Sequence, residues 1–64
     1  MKAMIDVQQL LKKFGIIIYT GDRLSDLELM EIEIDELYQY SLISPNEYKL
    51  AKLVLKKEMR AMHK

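Results

Sequence analysis

The chain has 64 residues, half of them apolar and 31% charged, with ten Lys or Arg against ten Asp or Glu and no cysteine. One small domain spanning 1–64 is all this length supports, with a thin core and neither a disulfide framework nor a thiolate metal site to staple it. No aliphatic run is longer than Ile16, Ile17 and Ile18, too short for a membrane span or the apolar stretch of a signal peptide, so the expectation is a cytoplasmic protein with no membrane partner.

In chain order, the first predicted element is a helix from about Met4 to Phe14. Val7, Leu10, Leu11 and Phe14 fall on one face at helical spacing. Gly15 follows where a left-handed cap is wanted. Ile16 to Tyr19 are β-branched and aromatic and read as an extended connector, because a lone strand has no pairing partner here. This first part of the chain is basic: Lys2, Lys12 and Lys13 against Asp6 give residues 1–21 a net charge of +2.

Thr20, Gly21 and Asp22 break the connector and open a second helix over about 22–41, with Asp22 as N-cap. Its expected buried stripe is Leu24, Leu27, Met30, Ile34, Leu37 and Tyr38. Leu29 and Ile32 lie off that stripe, either packed on the connector or exposed for a partner. Residues 22–36 carry one arginine and seven carboxylates, a net −6. Ser44, Pro45, Asn46 and Glu47 then form the clearest local signal: serine at the N-cap, proline at the first helical position and glutamate three residues on make a capping box. The third helix runs over about 45–61, with Tyr48, Ala51, Val54, Leu55, Met59 and Met62 expected to face inward. Residues 37–64 return to a net +4. Three amphipathic helices with short joins bury their stripes only against one another, which predicts an all-α three-helix bundle.

The catalytic inventory is nearly empty, and the chain is expected not to be an enzyme. His63, the single histidine, stands one residue from the end, and no glycine-rich phosphate loop can be built from Gly15 and Gly21. Glu28, Glu31 and Asp35 share a helical face, but without a histidine or a second carboxylate helix a solvated acidic face is the better reading. No metal, cofactor or small-molecule substrate is expected.

Binding chemistry is better supplied. Lys49, Lys52, Lys56 and Arg60 fall within an arc of about 80° on the third helix, a stripe of roughly 16 Å that either tracks a phosphate backbone or is a solvated lysine face. At the connector, Tyr19, Thr20, Gly21, Asp22 and Arg23 gather an aromatic ring, a hydroxyl and a guanidinium at a helix N-terminus. Arg23 either clamps a phosphate or pairs with an acidic neighbour such as Asp26; Tyr19 either stacks on an unpaired base or belongs to the core.

The run Asp6-Val7-Gln8-Gln9-Leu10-Leu11-Lys12-Lys13-Phe14-Gly15, then Tyr19 and Gly21-Asp22-Arg23, and later Glu36-Leu37-Tyr38, resembles the YqgQ-type small proteins of Gram-positive bacteria. The likeness covers about Asp6 to Arg60. It implies a cytoplasmic three-helix bundle that binds single-stranded DNA or RNA, with Lys12, Lys13, Tyr19 and Arg23 matching the family signature. The expectation from the whole sequence is sequence-tolerant binding of a single strand by those four residues together with Lys49, Lys52, Lys56 and Arg60. The alternative is a protein-interaction module that uses the acidic second helix and an apolar patch around Leu29, Ile32 and Tyr40.

Overall fold

In the computed structural model, which describes residues 1–62, three helices are present: α1 (Met4–Lys12), α2 (Arg23–Gln39) and α3 (Pro45–Ala61). The described residues contain no strand. Each helix opens on a local device. At α1 the Asp6 carboxylate reaches back to accept from the backbone N–H of Lys2 and Ala3, at 2.9 and 3.1 Å. At α2 the Asp22 carboxylate accepts from the Ser25 N–H at 2.9 Å. At α3 the capping box is complete: Ser44 Oγ accepts from the Glu47 N–H at 3.0 Å, and Glu47 Oε1 accepts from the Ser44 N–H at 2.8 Å. Ser44→Ala is therefore expected to cost about 1 kcal/mol, read as a lower midpoint in urea with an unchanged slope.

The first two helices end in the same way. The Ile16 N–H donates to the Leu11 carbonyl at 3.1 Å and the Gly15 N–H to that of Lys12 at 2.9 Å, with Gly15 at φ +75°. This Schellman turn closes α1 earlier than the expected Phe14. Phe14 is carried out of the core with it and is 38% exposed, contrary to the inward place its spacing suggested. In α2 the Leu42 N–H donates to the Leu37 carbonyl at 2.8 Å, and Ser41 takes the left-handed position at φ +58°. The helix accordingly stops at Gln39 rather than 41, and Leu42 leads into Ile43, which is buried.

The core is made of Met4, Val7, Leu10 and Leu11 from α1, Leu27, Met30, Ile34 and Leu37 from α2, Ala51, Val54 and Leu55 from α3, and Ile43 from the turn. Tyr48 and Met59 are half-buried against it and Leu24 is half-buried, whereas Tyr38 and Met62, expected inside, are exposed. Tyr38 instead stacks on Tyr48, with ring centroids 4.1 Å apart. The links between α2 and α3 run in antiparallel order. Arg23 pairs with Glu58 at one end, Glu31 with Lys56 and Lys52 in the middle, Asp35 with Lys52 beyond, and Tyr38 with Tyr48 at the other end.

The connector follows the alternation of extended chain. Ile16 and Ile18 pack on the core while Ile17 and Tyr19, one residue out of phase, face solvent at 79% and 86% exposure. It runs beside Leu29 and Ile32, which share a shallow groove with Ile16–Ile18 and yet remain 41% and 52% exposed.

Candidate nucleic-acid interface

The eight sequence-predicted residues divide into two surfaces with different chemistry. On α3, Lys52 and Lys56 are held by the acidic helix. Lys52 Nζ lies 3.0 Å from Glu31 Oε2 and 2.9 Å from Asp35 Oδ1, and Lys56 Nζ lies 3.0 Å from the same Glu31 oxygen. Tyr48 donates its hydroxyl to Asp35 at 3.0 Å, and the Lys52 ammonium sits 5.6 Å from the Tyr48 ring centroid. Lys49 and Arg60 are exposed and have no carboxylate of the described residues within 4.0 Å.

Lys57, absent from the predicted stripe, is exposed and equally free among the described residues. The sequence carries the signal that finds it. The buried residues Ala51, Val54 and Leu55 put the outward direction of α3 near Arg60, and Lys57, about 60° from Arg60 on the helical wheel, falls in the outward half.

The electrostatics of the α2–α3 network favour its ionised form. Burial opposes charge on Glu31, but Lys52 and then Lys56 outweigh it and hold the carboxyl below the ordinary glutamate value. Backbone hydrogen bonds, from Lys2 and Ala3 to Asp6 and from Ser25 to Asp22, lower those two carboxyls as well. A carboxyl that is more acidic folded than unfolded contributes stability at neutral pH and gives it up as pH falls through its folded value. Stability is therefore expected to be flat near pH 7 and to fall below about pH 4, seen as a decreasing melting temperature in an acid series.

The other surface gathers α1, the connector and the start of α2. One cleft, of about 260 Å³, is lined by Gln8, Leu11, Lys12, Ile16–Ile18 and Met30. A second adjoins it and is lined by Gln8, Ile18, Tyr19, Gly21, Arg23, Asp26 and Met30. Gln8, Ile18 and Met30 are common to both, so the two clefts adjoin, with Lys12 lining one and Tyr19 and Arg23 lining the other. Lys13, next to Lys12 in the closing turn, is exposed.

The corner is pinned by its own hydrogen bonds. Asp26 Oδ1 accepts from the Thr20 N–H at 2.7 Å and from the Thr20 hydroxyl at 2.6 Å, and the Asp22 N–H donates to Thr20 Oγ1 at 3.2 Å. Arg23 meets Glu58 at 3.2 Å rather than Asp26. That pairing uses one Nη2 bond and leaves most of the five guanidinium donors available on a side chain 51% exposed. The structure separates the two places that the sequence left open for Tyr19. Tyr19 lies outside the core, because the alternation of the connector turns it outward. The N-terminus of α2 is capped by the Asp22 carboxylate, as the sequence predicts, with Asp26 beside it.

Among the described residues no group of three or more histidine, cysteine or carboxylate side chains is placed to hold a metal ion, and no helix is long and apolar enough to cross a membrane. His63 lies outside the described residues.

These features define a small all-α domain with a corner lined by cations and an exposed aromatic ring. Comparison of the sequence with known families matches residues 1–61 to the YqgQ-like family, and the chain belongs to it. It is 46% identical over 59 residues to a Bacillus subtilis (strain 168) protein described as "Uncharacterized protein YqgQ", a match that covers 92% of this chain and 83% of the relative.

Proposed function

We propose that the protein is a non-catalytic cytoplasmic binder of single-stranded nucleic acid, DNA or RNA, and that the corner from Lys12 to Arg23 is its contact surface. The observation that carries this reading is the placement of Tyr19. An aromatic ring 86% exposed on a pinned connector, beside adjoining clefts lined by Lys12 and by Arg23, offers a base a stacking platform and its flanking phosphates two cations. Such a surface grips backbone and base faces without reading base edges, so binding is sequence-tolerant. Lys49 and Arg60 lie apart from this corner on α3, and Lys52 and Lys56 are committed to Glu31 and Asp35.

A titration of labelled oligothymidine and oligouridine over a range of salt tests the reading. Log affinity should fall linearly with log salt, and Lys12→Ala with Lys13→Ala should flatten the line by about 0.7 for each phosphate no longer neutralised. Binding that is absent at low salt, or indifferent to salt and to both substitutions, would refute it.

A further inference from the structure

Two helix faces are left over once the corner and the α2–α3 network are accounted for. The outer face of α2 has an apolar centre, Leu29 and Ile32, at 41% and 52% exposure. Glu28, Glu33 and Glu36 surround it, and none has a cation of the described residues within 4.0 Å. The outer face of α3 is its counterpart in the opposite charge. Leu53 is 58% exposed and lies among Lys49, Lys57 and Arg60, within an arc of about 80°. Both helices are 17 residues long. The cations of α3 that do reach α2, Lys52 and Lys56, are taken up by Glu31 and Asp35 at the inner interface, so the outer charges of each helix are not neutralised within the copy.

We infer that these faces are the two halves of one interface, in which the α3 outer face of a second copy docks on the α2 outer face of the first. Charge complementarity selects the second copy. An α2 face against another α2 face would oppose carboxylates, and an α3 face against another α3 face would oppose lysines, whereas α2 against α3 pairs opposite charges around leucine and isoleucine. Within one copy the two helices pack by their inner sides, so the outer faces meet only between copies. The arrangement is head-to-tail: each copy offers an acidic face to one neighbour and a basic face to the next. One helix laid on another buries less than the roughly 1,200 Å² of a stable interface, so free copies associate weakly and come apart in salt. Copies held on one nucleic-acid strand meet at high effective concentration, which makes binding cooperative. That last step rests on the proposed function; the interface itself does not.

Sedimentation velocity without nucleic acid tests the interface, at about 0.01 M and about 1 M salt, where the screening length falls from about 30 to about 3 Å. The native chain should gain mass with concentration at low salt and run as a monomer at high salt. Glu28→Lys with Glu36→Lys, and separately Lys49→Glu with Lys57→Glu, should each remain monomeric at low salt with native helical circular dichroism. An equimolar mixture of the two reversed proteins should associate again, because each then supplies the face the other lacks. Leu53→Ala, which alters no charge, should weaken association by itself and keeps the test open if a reversed protein fails to fold. Lys12→Ala with Lys13→Ala should associate like the native chain, which separates this interface from the nucleic-acid corner. A native chain that stays monomeric at every concentration in low salt, or reversed proteins that do not associate on mixing, would overturn the inference and leave oligonucleotide binding at the corner untouched.

Discussion

Leu27→Ala is expected to leave the chain largely unfolded at physiological temperature. Leu27 is fully buried in the core shared by the three helices. Truncating a buried leucine costs about 2–5 kcal/mol, because the transfer free energy of the missing methyl groups is compounded by the cavity left behind. A domain of 64 residues has about 3–10 kcal/mol in total at ordinary stability per residue. One substitution therefore removes most of it, a drop of roughly 10 °C or more in melting temperature. Phe14→Ala is the control. That ring is larger but 38% exposed beyond the Schellman turn, so its removal should cost distinctly less than that of Leu27. If Phe14→Ala proves the more damaging, the ring packs inward after all and α1 runs on past Lys12.

Tyr19→Ala should have the opposite profile. With the ring 86% exposed, its removal should leave the melting temperature where it was. If Tyr19 stacks on a base, affinity for a single strand should fall by about 1–3 kcal/mol, roughly 5- to 150-fold. The slope of log affinity against log salt should not change, because every phosphate keeps its cation. Tyr19→Trp should retain binding, since a larger aromatic face stacks at least as well. A Tyr19→Ala protein that binds with native affinity would remove the stacking role and leave only the cations of the corner.

The α2–α3 network bears on how charge on this chain is best altered. Reversing Lys56 would set a carboxylate against Glu31, whose Oε2 already holds two ammonium groups at 3.0 Å. A fall in stability would then be mixed with any fall in binding. Lys49, Lys57, Lys12 and Lys13 have no such partner among the described residues and report on external partners alone.

Much of the architecture is determined by the sequence by itself, because the signals for it are local. The Ser44–Glu47 box and the Asp22 cap are hydrogen bonds between residues three apart, and Gly15 supplies a backbone conformation that other residues resist. The stripes Val7–Leu10–Leu11, Leu27–Met30–Ile34–Leu37 and Ala51–Val54–Leu55 are set by the helical repeat, which is why three helices and most of the core are legible without coordinates. Tertiary structure decided what depends on neighbours distant in sequence. Ile43 has no periodic pattern to announce it and is buried only because the turn after α2 folds under the bundle. Lys52 and Lys56 look like any other members of a basic stripe until α2 arrives in antiparallel register and brings Glu31 and Asp35 within 3.0 Å. Arg23 finds Glu58, 35 residues away, rather than Asp26 on its own helix, whose Oδ1 accepts from Thr20. The exposure of Tyr19 follows from which way the alternation of the connector is phased against the core, and that phase is set by the packing of Ile16 and Ile18. Helical repeat and capping act within a few residues, whereas ion pairing and burial act through space, so the helices could be read along the chain and the partners of Arg23, Lys52 and Lys56 could not.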